Sequence, residues 1–288
     1  MRAAVSTSAT PWGSALVRLR REPRAVAAAL VLGLIVLACL VVPWLVPHGP
    51  EALDFDAVSA PPALAGSHWF GTDNVGRDLL ARTLAGGRVS LTVGLAATLV
   101  SVLIGVAWGA VAGYYGGRVD ALLMRAVDIL YALPFMFLVI LLMVLFGRHL
   151  ALMFVAIGAI QWLDMARIVR GQALALKGRA FVDAARLAGL APAAIVRRHI
   201  VPNLLGVVVV TATLTVPQVI LVESFLSFLG LGVQEPSTSW GMLVNDGAAD
   251  MEAAPWALLF PVGFLVATLL CLNILGDALR DALDPHGH

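Results

Sequence analysis

The stretch FVDAARLAGLAPAAIVRRHIVPN, residues 181–203, decides how the rest of the chain is read. Taken from Arg170, the polar interruption it belongs to carries Arg170, Lys177, Arg179, Asp183, Arg186, Arg197 and Arg198, and it separates two apolar spans. Its residues predict two short helices with a hinge. The first ends near Ala188, because Gly189 takes the left-handed conformation at little steric cost. Pro192 suits the first turn of a second helix, where its missing N–H would be unpaired anyway. Pro202 is expected to end that second helix, since an interior proline breaks the i→i−4 ladder. Ala184, Ala185 and Ala188 are read as one small-residue face open to close packing, with Arg186, Arg197 and Arg198 in water. This is a docking element; the plainer alternative is an ordinary helical hairpin between two membrane spans.

Working outward, the chain is 288 residues long, 60% hydrophobic and only 13% charged, with a mean hydropathy of +0.92. Soluble domains carry about 25% charged residues. Several apolar runs reach or approach the ~20 residues that cross a bilayer as a helix. Residues 25–46 form the first. A signal peptide is disfavoured there, because its core would be shorter and a small-residue cleavage site would follow. Further spans are expected at about 90–112, 121–146, 150–167, 204–228 and 255–275. Pro134 marks a kink in the third. Asp164 requires the fourth either to tilt little or to have that acid covered by protein. Pro217 and Glu223 interrupt the fifth. Gly105, Gly109 and Gly113 lie on one face of the second, a spacing that lets membrane helices approach closely.

Orientation follows from the arginine bias. With the N-terminus inside, only Arg77, Arg82, Arg88 and Arg148 of the 19 Lys and Arg residues fall outside. The expected fold is therefore an all-α integral membrane protein with six transmembrane helices and both termini cytoplasmic. Its expected divisions are a cytoplasmic tail at 1–24, the first transmembrane helix with an external segment at 25–88, a core domain at 89–279 and a cytoplasmic tail at 280–288. In the tail, Trp12, Leu16 and Leu19 form an amphipathic turn suited to the headgroup region. In the external segment, Asp73 is expected to cap a helix starting near Asn74, with Leu79, Leu80, Thr83 and Leu84 on one face.

The loop also resembles the signature loop of ABC-importer permeases: Glu-Ala-Ala, three residues, Gly, nine residues, Ile-x-Leu-Pro. Here it reads Asp183-Ala184-Ala185, Gly189, then His199-Ile200-Val201-Pro202, with every spacing kept. Asp183 replaces the family glutamate and His199 stands at the first isoleucine. RRHIVPN is similar to the form found in the dipeptide, oligopeptide and nickel branch. Two further segments resemble that branch: Gly71-Thr72-Asp73 with Gly76-Arg77-Asp78 ahead of the second span, and ESFLSFLGLG from Glu223. The resemblance implies a type I importer permease fold in the bacterial cytoplasmic (inner) membrane, with the loop at 170–203 acting as a coupling helix that enters a cleft of an ATPase subunit. Asp183, Ala184, Ala185, Gly189, His199, Ile200 and Pro202 are its candidate residues. The implied partners are a second homologous permease, one or two ATP-binding subunits, an extracytoplasmic substrate-binding protein and the lipid bilayer, with no nucleic acid. Peptides are the implied cargo, with nickel or another small solute as the alternative.

The remaining chemistry is sparse. No GxxxxGK[ST] loop is present to cradle phosphates, and there is no HExxH or GxSxG. No catalytic residue, cofactor or metal site is expected, and ATP hydrolysis belongs to partners. Cys39 and Cys271 lie in apolar runs and read as small core residues. Glu223, well inside a span, is either a hydrogen-bonded packing residue or part of the pathway. An ion-coupled secondary transporter using Glu223 as proton carrier is one rival reading. A membrane-embedded enzyme or scaffold is another. Neither accounts for a hinged docking loop, and the enzyme lacks a catalytic constellation.

Overall fold

A computed structural model describes residues 11–63, 66–147 and 150–283. Among these residues there is no strand, only the isolated bridges Leu53↔Arg77 and Thr72↔Asp78. Five helices are long and apolar enough to cross a membrane, and a sixth crossing results if one bent pair is counted as a span. Helices dominate because hydrocarbon offers no partner to backbone N–H and C=O groups, and a helix satisfies them internally.

Helix α1 (Pro11–Arg21) packs on the last helix, α11 (Trp256–Leu283). It turns Ala15 inward and leaves Leu16 exposed. Helix α2 (Pro23–Leu45) has proline in its first turn and no charge after Arg24, matching the expected first span. Helix α3 (Leu79–Tyr115) is longer than its expected span. Its cap is Asp78, whose Oδ1 accepts from the Ala81 N–H at 2.7 Å, and not Asp73. Asp73 instead accepts from the N–H groups of Val75 and Arg77 at 3.0 and 2.8 Å. The helix cannot begin near Asn74, because Gly76 has φ +83, which turns the chain once more before it coils. The expected inward face holds: Leu79, Leu80, Thr83 and Leu84 are all buried.

The turn expected over 114–120 contracts to Gly116, after which α4 (Gly117–Ala132) begins at once. Pro134 does more than kink the third span. Leu133 is extended, as a residue before proline prefers, and α4 meets α5 (Phe135–Phe146) at 79°. Helix α6 (Leu150–Lys177) runs well past the expected end near Arg167. It lies against α3 along Gly105, Gly109 and Gly113; a methyl group at Gly109 would sit 2.4 Å from the Ala166 carbonyl oxygen. The small-residue face thus brings two backbones together.

Past the docking loop, α9 (Val201–Phe228) crosses α3 and α11. Helix α10 (Trp240–Ala249) lies between the expected fifth and sixth spans, where no helix was expected. Ser239 caps it, and Trp240, fully buried, donates its ring N–H to the Thr83 carbonyl at 2.9 Å. Helix α11 continues helically beyond the expected span end at 275, through Leu283. The 88/89 and 279/280 divisions fall within α3 and α11.

Candidate functional site

The loop between α6 and α9 is built as its residues dictate up to Gly189. Helix α7 (Ala180–Leu187) ends at Ala188. Gly189 has φ +79. The Gly189 N–H donates to Arg186 O at 2.9 Å and the Leu190 N–H to Ala185 O at 3.2 Å. These are the two hydrogen bonds of a Schellman closure, which satisfy carbonyls left over at a helix end. Ala191 is extended and Pro192 opens α8 (Pro192–Ile195).

Pro202 does not end the second helix, contrary to expectation. A π turn over Val196–Ile200 intervenes, and the Val201 N–H reaches back to Val196 O. The chain then continues into α9 with Pro202 in its first turn. The wider turn takes up the proline without a break, in the manner of π-bulges inside longer helices.

Ala185 also departs from its expected role. It is 6% exposed and packs with Val182, Ile195, Ile200 and Leu204 against Tyr114 of α3 and Val169 and Ala173 of α6. Residues 182 and 185 share the inward stripe because they are three apart on a helix. Ile200 is likewise fully buried. The outward stripe is Ala180, Ala184, Leu187 and Ala188, all exposed, at the i, i+4, i+7, i+8 spacing of a helix face. Leu187 is 91% exposed. The sequence reading overlooked it, although its spacing from Ala184 carried the signal. Around Gly189, nothing lies within 4 Å of where a side chain would start.

The polar groups frame this stripe. Asp183 accepts from Arg186 at 2.9 Å, and the Arg186 guanidinium lies 5.5 Å from the Tyr114 ring centroid. Arg197 and Arg198 are exposed. His199 is half-buried, and its carbonyl accepts from the Asn203 side chain at 2.6 Å. Among the described residues, no group of three or more His, Cys, Asp or Glu could hold a metal ion. The loop is an apolar-tipped knob on an arginine-rich end of the bundle, fastened to α3 and α6 by its inner face.

Glu223 sits elsewhere, fully buried where α3, α9 and α10 meet. Its carboxylate accepts from Ser90 Oγ at 2.9 Å and Ser227 Oγ at 2.7 Å. Ser90 Oγ also accepts from the Trp240 backbone N–H at 3.2 Å. Asp164, by contrast, is exposed on α6 and not covered by the chain.

Residues 105–286 match the family model described as the binding-protein-dependent transport system inner membrane component. Residues 10–62 match the N-terminal transmembrane domain of oligopeptide transport permease C. The chain is 54% identical over 274 residues to the oligopeptide transport system permease protein OppC of Haemophilus influenzae, covering 95% of this chain and 88% of that protein. It is 55% identical to the protein of the same name from Escherichia coli, with 95% and 91% covered. With the dipeptide transport system permease protein DppC of Bacillus subtilis it shares 45% identity over 269 residues, with 93% and 83% covered.

Proposed function

Because the chain belongs to the family of inner membrane components of binding-protein-dependent transport systems, we propose that it forms half of the pathway of an ATP-driven oligopeptide importer. It is a multi-pass inner-membrane permease. The peptide cargo is carried over from relatives named as oligopeptide and dipeptide permeases, and extended similarity over 95% of the chain supports it. A second homologous permease, ATP-binding subunits and an extracytoplasmic binding protein complete the system. Six crossings with both termini cytoplasmic fit the arginine bias and put the knob in the cytoplasm, where ATP is.

The observation that carries the coupling role is the outward stripe Ala180, Ala184, Leu187 and Ala188. A leucine 91% exposed at the tip of a closed, anchored helix suits insertion into an apolar cleft, where burying it contributes about 1.5–3 kcal/mol. Asp183, Arg186, Arg197 and Arg198 would flank the cleft, while Ala185 and Ile200 hold the knob's shape from inside. Glu223 we assign to packing, since it is fully buried and serine hydroxyls donate to its carboxylate.

Paired variants test this reading. Leu187→Asp should leave the chain folded and paired with the second permease, yet lose co-purification of the ATPase subunits and peptide-stimulated ATP turnover. Ala185→Glu should lower the melting temperature of the chain itself, because a charge enters a closed core. Normal ATPase association and turnover with Leu187→Asp would make this loop a mere connector.

A further inference from the structure

Helix α2 carries Pro43 in its last turn. Proline brings no N–H, so the Cys39 carbonyl, one turn back, loses its helical partner. Arg88 of α3 supplies another. Its Nε and Nη2 donate to the Cys39 carbonyl at 3.3 and 3.1 Å, and Nη2 also reaches the Leu40 carbonyl at 3.2 Å. The helices meet closely here because Gly87 lies against Cys39; a methyl group at Gly87 would stand 2.6 Å from the Cys39 Sγ. Helical carbonyls point toward the C-terminus, so the guanidinium stands level with the last turn of α2. There it lies 5.7 Å from the centroid of the Trp44 ring, and Trp44 is 79% exposed. The acceptors are neutral carbonyls, Nη1 takes no part in these bonds, and among the described residues no carboxylate pairs with Arg88. Its charge is therefore held in place but not matched.

The surroundings are amphiphilic in a fixed order. On the orientation proposed above, this end of α2 meets the outer leaflet, and tryptophan is characteristic of the membrane–water interface. Toward the bilayer interior, Leu95 shares the face of Arg88 (i, i+7) and Leu37 the face of Trp44 (i, i−7). Both leucines are exposed, as are Leu40 and Leu99. Apolar side chains alone would say only that this surface meets hydrocarbon; the unmatched cation above them calls for an anion at headgroup level. We propose that Arg88 and Trp44 bind the phosphate of an outer-leaflet phospholipid, whose acyl chains run down past Leu95 and Leu37. The phosphodiester oxygens accept from Nη1 and match the charge, a pairing the planar guanidinium suits. The carbonyl bonds already fix the side chain, so little rotamer freedom is left to lose on binding. Bound lipid in turn holds the end of α2 beyond Pro43 on α3. The inference goes beyond the transport reading and rests on its membrane placement, not on the peptide cargo.

The test uses the complete transporter purified in dodecyl maltoside, with phosphatidylglycerol or a diglucosyl diacylglycerol of the same chains added. Native mass spectrometry counts the lipids retained. The parent should hold phosphatidylglycerol more tightly than the phosphate-free lipid. Arg88→Gln should weaken phosphatidylglycerol binding about tenfold and leave the glycolipid as before, since Gln keeps an N–H for the Cys39 carbonyl and removes the charge. Pro43→Ala separates binding from folding, because its N–H satisfies that carbonyl directly. In the Pro43→Ala background, Arg88→Gln should leave the melting temperature in glycolipid unchanged and still lose the preference for phosphatidylglycerol. Equal retention of the two lipids by the parent would overturn the proposal, as would phosphatidylglycerol binding indifferent to Arg88→Gln. Displacement by millimolar inorganic phosphate would also overturn it, in favour of a free-anion site. So would loss of the second permease from Arg88→Gln with lipid retention unchanged, which would assign Arg88 to a carboxylate of that subunit.

Discussion

Gly189 shows what a single residue settles here. Its φ of +79 lies where side chains with a Cβ clash with their own backbone, while the space around it is empty. Gly189→Ala should therefore cost about 1–2 kcal/mol through the backbone alone, and Gly189→Val about 1–3 kcal/mol. Because α7 is anchored by Val182 and Ala185, the loss should fall on the α7–α8 junction, leaving the membrane helices in place. Hydrogen exchange in the loop should rise and ATPase coupling should drop, with the melting temperature of the bundle nearly unchanged. Glu223 makes the opposite case, a polar residue whose neighbours absorb substitution. Glu223→Gln keeps an acceptor for Ser90 or Ser227, and ATP-driven uptake should stay near the parent level even with a proton uncoupler present. Glu223→Leu strands those hydroxyls, at about 1–3 kcal/mol for each buried group left unpaired, and should lower the yield of folded protein. Abolished uptake with Glu223→Gln at unchanged stability would return this carboxyl to the pathway.

Among the elements, the segment ahead of α3 depends most on charge. Arg77 bridges Asp73 at 2.7 Å and Glu235 at 2.7 Å, tying the segment to the stretch between α9 and α10. The hydrogen bond from Arg77 holds the Glu235 carboxyl below the usual carboxylate range. A depressed folded pKa contributes stability that is fully present above the unfolded value, about 4.3, and fades as pH falls through the depressed value. The tie should thus be unaffected between pH 8 and pH 5, taken as about the limits of ordinary operation, and should loosen on acidification below about pH 4. Protease cutting within residues 229–239 reports it; Glu235→Gln should show the looser pattern already at neutral pH. A cutting rate that ignores both pH and Glu235→Gln would mean that packing alone closes this end. The effect is small in energy, since Glu235 is exposed and such pairs contribute little.

At the scale of the molecule, the proposed reading makes the bundle a passive body and the α7–α8 knob its coupling element. Nothing in its sequence forms a phosphate-cradling loop. The purified chain should neither hydrolyse ATP nor be photolabelled by an azido-nucleotide in a manner competed by ATP, whereas the assembled transporter should hydrolyse it. Competable labelling mapped to this chain would count against the division of labour proposed here.

The sequence alone determined the membrane class, most of the apolar spans, a glycine face on the second span suited to close packing, and the Gly189 hinge. Each of these is written locally, in the length of an apolar run, the spacing of glycines on one face, or a residue type that a backbone conformation demands. Tertiary structure decided the rest. Ala185 and Ala184 are adjacent and chemically identical, yet one is walled in by Tyr114, Val169 and Ile200 and the other is open. Asp73 and Asp78 are equally good caps by type, and the turn at Gly76 selected between them. Helix α10 stayed hidden because its driving force is Trp240 seated against α3 and Thr83, far away in sequence. Pro134 announced a kink, but the 79° bend and the hollow lined by Leu133, Phe135 and Leu163 depend on how α4 and α5 settle on α6. Periodicity records which faces are apolar; which neighbour covers a face is a long-range contact, and only the folded chain supplies it.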